Sequence, residues 1–243
     1  MKNLEPTRKP AGVIFDFGDT VMGGPFDPLA GDIKLLEFTT SVPHPTAREV
    51  QLVADEINRE IDRIRIESMV EFNCQSFHRL LYDKLGILFS ISYEEMEKEF
   101  WRAATCYKPL EGIREVLDLL AANHIKAGIL SNTSFSGALL AEDLAKHDLA
   151  HRFSFVISSA DYGFRKPSRR IFDVAVKKMA LPPEDIWFAG DMLDYDIAGA
   201  IRAGLFPVWY NAKNAPGRDG LDCFEVRDWL ELRHKIEMLC RNQ

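Results

Sequence analysis

The chain is short of cysteine, of positive charge and of long apolar runs. Its four cysteines, Cys74, Cys106, Cys223 and Cys240, stand apart with no C-x-x-C spacing. That argues against a disulfide framework or a zinc site, and for idle thiols in a reducing compartment. The six histidines also lack ligand spacing. Lys and Arg total 30 against 37 Asp and Glu, a formal charge of -7. A surface of that sign repels nucleic acid and anionic membrane, so neither is expected as a partner. The opening MKNLEPTRKP has no apolar core, and no stretch is apolar for long enough to cross a bilayer. No signal peptide is therefore expected, and a cytoplasmic location is. Internal repeats and low-complexity linkers are missing too.

What remains is an ordinary globular composition, 47% hydrophobic and 28% charged over 243 residues. That length suits one large domain, or a core carrying a smaller inserted one. Short apolar runs recur at Val13–Phe15, Ala127–Leu130, Phe153–Ile157, Ile186–Ala189 and Phe206–Trp209. Unbroken runs of this length suit strands buried on both faces of a parallel sheet. Helical patterns alternate with them. Ile113, Val116, Leu117 and Leu120 make one apolar face, and Ile171, Val174, Ala175 and Met179 another. The alternation predicts an α/β fold with a doubly wound, mostly parallel sheet.

From about residue 25 to 107 the alternation stops and helical patterns take over. Val50, Val53, Ile57, Ile61 and Ile64 are read as one stripe. Phe77, Leu80, Leu81 and Leu85 are read as another, stopped by Gly86. Ser92 and Glu95 form a capping box. The expected organisation is a sheet domain from residues 11–24 and 108–243, with a helical cap of residues 25–107 inserted after the first strand.

In an open α/β sheet, ligands bind beyond the carboxyl ends of the strands. The polar residues gather there. The first run ends in Asp16, the second in Ser131-Asn132, the fourth in Gly190-Asp191. Four segments, FDFGDT with Asp16, ILSN with Ser131, GFRKPSRRIF with Lys166, and FAGDMLDYDIAGA with Asp191 and Asp196, resemble in order the motifs of the haloacid dehalogenase superfamily. The resemblance spans nearly all of the sheet domain; of the cap it matches only the helical character, as in branches with a helical cap.

The resemblance implies phosphoryl transfer through an aspartyl-phosphate. Asp16 would be the nucleophile. Asp16 and Asp191, with the Gly18 carbonyl and Asp196, would hold Mg²⁺. Lys166, the Ser131 hydroxyl and the adjoining Asn132 would bind the phosphoryl oxygens. Asp196 would orient a water or Lys166, and Thr20 would fix the loop through its hydroxyl. Arg165, Arg169 and Arg170 read as a solvated face or as charge at the substrate entrance, not as a nucleic-acid site. The substrate implied is a small phosphorylated metabolite, and the protein is expected to be a monomer or homodimer.

The segment departs from the family's pattern at one place. Phosphatases of this kind carry a second Asp two residues after the nucleophile, as acid and base. Here Gly18 occupies that position, and the acid stands one place later, at Asp19. Asp19 reaches a leaving group only if Gly18 takes a backbone conformation closed to other residues. Two alternatives stay open. One is a non-phosphatase hydrolase of the same fold, of the dehalogenase or phosphonatase kind. The other is a protein that binds a phosphorylated ligand with little turnover.

Overall fold

The computed structural model describes residues 1–241. Its strands are β1 Gly12–Phe15, β2 Met22–Gly23, β3 Lys108–Pro109, β4 Lys126–Ser131, β5 Val156–Ser158, β6 Ile186–Gly190, β7 Phe206–Tyr210 and β8 Phe224–Val226. The helices are α1 Pro28–Leu36, α2 Ala47–Ser68, α3 Cys74–Leu85, α4 Tyr93–Ala104, α5 Ile113–Ala122, α6 Gly137–Lys146, α7 Ser159–Tyr162, α8 Arg169–Met179, α9 Ala198–Ala203 and α10 Trp229–Arg241. Six strands form one parallel sheet in the order β5-β4-β1-β6-β7-β8. The chain begins at the centre and winds outward in both directions, so β1, β4 and β6 end side by side.

Alternation along β1 divides the core. Val13 and Phe15 face a large cluster that includes Leu117, Leu139 and Trp229 of α5, α6 and α10. Ile14 faces the opposite side, where Phe172, Met179 and Ala200 of α8 and α9 pack on Leu130 and Phe188. Both faces are covered by apolar side chains, which is why the strands read as unbroken apolar runs.

Helices α1 to α4 lie between β2 and β3, which pair antiparallel as a short ribbon. The two capping boxes, Thr46 with Glu49 and Ser92 with Glu95, start α2 and α4. Gly86, at φ 67°, ends α3 as expected.

Three expectations need correction. On α2 the buried stripe is Val50, Ala54, Ile57 and Ile61, and Ile64 is 55% exposed. The 3.6-residue period carries the stripe on to Arg65, which is half-buried, and turns Ile64 outward. On α3, Leu80 is exposed; Cys74, His78, Leu81 and Tyr82 face inward. The third apolar run forms a strand only from Val156, and Phe153 packs in the core ahead of it. The strand β8 had no sequence signal, because Phe224–Val226 is too short to show a period.

Candidate active site

The carboxyl ends of β1, β4 and β6 open onto one cavity of about 800 Å³, roofed by residues of α1 to α4. Asp16, Gly18, Asp19, Ser131, Asn132, Lys166, Asp191 and Asp196 all line it. All the candidate site residues thus meet in one place, although 180 positions of sequence separate Asp16 from Asp196.

Lys166 is the centre of the floor. It is 2% exposed, and its Nζ donates to Asp16 Oδ1 at 2.6 Å. Nζ also lies 2.6 Å from Asp196 Oδ1. Asp16 and Asp196 thus share the one buried ammonium, each through its Oδ1. Burial lowers the Lys166 pKa, but Asp16 and Asp196 outweigh it and hold the ammonium above its ordinary value. The backbone of Lys166 is fixed by Asn132. Asn132 Oδ1 accepts from Lys166 N at 2.7 Å, and Asn132 Nδ2 donates to Lys166 O at 3.0 Å. Asn132 therefore sets the lysine's place, and the buried hydroxyl-bearing Ser131 lies next to it at the tip of β4.

Asp196 closes the acidic group from the other side. Its Oδ2 accepts from Met192 N at 2.9 Å across a wide π-type turn, Leu193–Ile197. Gly190 makes this possible, since a β-carbon there would collide with the Asp196 side chain. One carboxylate oxygen from each of Asp16, Asp191 and Asp196 falls within 4.8 Å of the others. Three carboxylates so close share a single ammonium. Burial first, then the charges of Asp16 and Asp196, push the Asp191 carboxyl up to about 7. Burial pushes Asp16 up to about 6, against the opposing pull of Lys166. Crowded, under-neutralised oxygens of this kind fit a hard divalent cation.

The second acid is displaced. Asp19 has left-handed backbone, φ 52°. Its carboxylate is 59% exposed and accepts from Lys213 Nζ at 2.9 Å. Gly18 is not in a positive-φ conformation, so the condition for bringing Asp19 back over Asp16 is not met. Thr20 also differs from expectation. Its hydroxyl is buried without a hydrogen-bond partner, and its carbonyl is what anchors the loop, accepting from Trp229 Nε1 at 2.9 Å.

The roof supplies residues whose partners no sequence pattern showed; among them is Glu71, which breaks the helical charge pattern together with Phe72, Asn73 and Phe77. Glu71 is fully buried. It accepts from Arg65 Nε (2.9 Å), Ser159 Oγ (2.8 Å) and Arg165 Nη1 (3.1 Å). Arg165 is therefore a paired, half-buried residue that lines the cavity and not part of a solvated face; Arg169 and Arg170 are exposed. Around Glu71 the chain 69–74 is stitched to the lower loops: Glu71 N donates to Gly163 O, Arg165 N to Met69 O and Cys74 N to Ser134 O. Asp32 is buried under α2 and α3, accepting from Tyr82 Oη at 2.8 Å and from Gln51. Burial pushes its carboxyl up to about 6. Only the order of residues across three elements brings these groups together, and no local pattern signals it.

Comparison with known proteins bears on the family and the fold. Residues 10–204 match the family described as haloacid dehalogenase-like hydrolase. The chain is 33% identical over 137 residues to the pyrimidine 5'-nucleotidase YjjG of Escherichia coli (strain K12), covering 55% of this chain and 58% of that one. It is 28% identical over 134 residues to a glyceraldehyde 3-phosphate phosphatase of Methanothermobacter thermautotrophicus, covering 52% and 58%. The chain thus spans little more than half the length of these curated relatives. Its fold is similar to that of a 2-haloacid dehalogenase from Pseudomonas syringae pv. Tomato DC3000, with TM-score 0.66 and 19% identity over 98% of this chain and 99% of that one.

Proposed function

The chain belongs to the haloacid dehalogenase-like hydrolases, and from that premise we propose that it is a Mg²⁺-dependent phosphatase of small phosphorylated metabolites. The observation that carries the proposal is the buried Lys166 ammonium, held between Asp16 and Asp196 with Asp191 beside them. Asp16 attacks phosphorus through a carboxylate oxygen, the ester bond breaks, and an aspartyl-phosphate forms. Water then hydrolyses it, releasing phosphate and restoring the carboxylate. Lys166 keeps Asp16 oriented and neutralises phosphoryl oxygens. The Ser131 hydroxyl donates to the same oxygens, while Asn132 holds Lys166 in position. Mg²⁺ bound to Asp16, Asp191 and the Gly18 carbonyl would add positive charge where carboxylate and phosphoryl group otherwise repel. Asp196 adds negative charge to that neighbourhood and holds Lys166 from the other side.

Residues 25–107 act as a cap over a core of residues 11–24 and 108–243. The cap excludes bulk water from the phosphoryl group. The ribbon of β2 and β3 is the joint between them.

A metal-independent dehalogenase has the same fold and likewise needs no second acid at Gly18. It does not need three carboxylates sharing one ammonium, which favours the cation-dependent reading. Release of phosphate from an aryl phosphate, with Mg²⁺ and with chelator, separates the readings. Mg²⁺-dependent release supports the phosphatase. Halide release from a 2-haloacid in chelator overturns it, and tight phosphate binding without turnover leaves a binding protein.

A further inference from the structure

The second acid's place is empty, and the cavity it borders carries several aromatic rings. A β-carbon built on Gly18 meets nothing within 4 Å. The space a side chain would fill there is open, at the rim of the cavity that Asp16 also lines, and the backbone conformation is ordinary for any residue. The acid sits at the next position, in the left-handed region where glycine is the less strained choice. From there it is drawn outward to Lys213. The other carboxyl groups of the cavity are occupied. Asp196 faces Lys166, Glu71 lies between Arg65 and Arg165, Asp62 pairs with Arg65, and Asp32 is held by Tyr82 and Gln51. Asp55 is exposed on α2, and Asp191 belongs to the acidic group beneath.

Above this floor stand rings. Phe26, Phe77, Phe100, Trp101, Tyr107 and Phe135 line the same cavity. Phe26 meets Phe135 edge-on at 6.0 Å and remains 45% exposed. Trp101 and Phe135 pack at 4.6 Å, and Tyr107 tilts over Phe17, the residue between Asp16 and Gly18, at 6.2 Å. A flat ring entering the cavity meets edges and faces of other rings, a favourable arrangement for aromatic groups.

We propose that the substrate is an aryl phosphate, a phosphate monoester whose leaving oxygen is carried on an aromatic ring. The proposal rests on the phosphatase reading above and narrows it. An alkoxide must take a proton as it leaves, and general acid help is worth about 10²–10⁴-fold. An aryloxide needs little such help. In the first step the Asp16 oxygen bonds to phosphorus, the phosphorus–aryloxy bond breaks, and its electron pair stays on the aryl oxygen. That oxygen later takes a proton from water.

The test is kcat/KM, with Mg²⁺, for phosphate monoesters graded from alkyl to aryl leaving groups. Wild type, Gly18→Asp and Asp19→Asn are compared. Acetyl phosphate serves as a substrate with an acidic leaving group and no ring. The wild-type rate should fall steeply with leaving-group pKa, alkyl esters trailing aryl ones by about 10²–10⁴-fold. Gly18→Asp should narrow that gap by raising the alkyl rates, and Asp19→Asn should leave the ratio unchanged. The KM for aryl esters should lie at least about tenfold below that for acetyl phosphate, roughly the discrimination of one well-filled apolar contact. A wild-type rate indifferent to leaving-group pKa, or an alkyl rate lost selectively in Asp19→Asn, overturns the inference about the acid. Equal KM for acetyl phosphate and aryl esters overturns the inference about the ring. Both leave the phosphatase reading intact. Failure to release phosphate from any ester overturns that reading and this proposal together.

Discussion

Replacing Glu71 by Gln should loosen the roof before it loosens the rest of the molecule. The Glu71 carboxylate is completely buried, and its partners Arg65 and Arg165 are 18% and 17% exposed at the side chain. Removing one partner of a buried ion pair costs about 3–5 kcal/mol. Arg65 keeps Asp62 at 3.0 Å and the Phe72 carbonyl at 3.2 Å, and both guanidinia retain some solvent. Those contacts bring the expected loss down to about 2–4 kcal/mol. For a chain of this size that is roughly 5–15 °C in Tm. The loss is local in origin, so it should appear first in amide exchange. Glu71 N and Arg165 N, bonded to Gly163 O and Met69 O, should exchange faster, while the amides of β1 and β4 remain protected. Because Arg165 adjoins Lys166, kcat/KM should also fall. Hydrogen exchange read by mass spectrometry, beside thermal unfolding, measures both effects. A Tm within about 2 °C of wild type, with unchanged exchange in residues 69–74 and 163–165, would refute the role assigned to Glu71.

Lys166→Met should lower phosphate release at least about 10²-fold, as the loss of one preorganised charge at a reacting centre does; a steady-state assay with Mg²⁺ checks it, and a wild-type rate would contradict it. Mg²⁺ affinity should weaken as pH falls through about 7 and then about 6, because Asp191 and Asp16 must shed their protons to bind; calorimetric titration at about pH 5 and about pH 8 measures this. Protein stripped of metal should follow the opposite course in stability. Both carboxyls have folded pKa values raised above the ordinary value of 3.8. Their contribution is therefore fully present below about pH 4 and lost as pH rises through about 6–7. Unfolding midpoints in chelator should fall across that window, and Asp191→Asn should flatten the fall; a midpoint that rises with pH in wild type but not in Asp191→Asn would invert the assignment.

The sheet was legible because its strands are buried on both faces. Runs such as Val13–Phe15 and Ile186–Ala189 leave little choice of partner, and polar residues at their ends locate the rim. Asp16 and Asp191 could be named because each stands at the end of such a run, whereas Lys166 and Asp196 were legible only through the resemblance of their segments to the family's motifs. The roof was far less legible. On α2, Ile64 and Arg65 are neighbours, and a drift of one position decides which turns inward. Glu71 follows the helix end and shows no period, and its partners lie six, 88 and 94 residues away. Arg165 looks solvated in a run of basic residues, because its burial depends on that distant carboxylate. Asp19 shows a different limit: sequence places the acid, but only φ and Lys213 show where it points.

The central claim is that Asp16 carries the phosphoryl group. Protein mixed with Mg²⁺ and an aryl phosphate, quenched in acid within the first turnover and digested, should yield a phosphoryl adduct on the peptide containing Asp16. Asp16→Asn should yield none and release no phosphate. Steady phosphate release from Asp16→Asn, or an adduct on any other residue in wild type, would contradict the account.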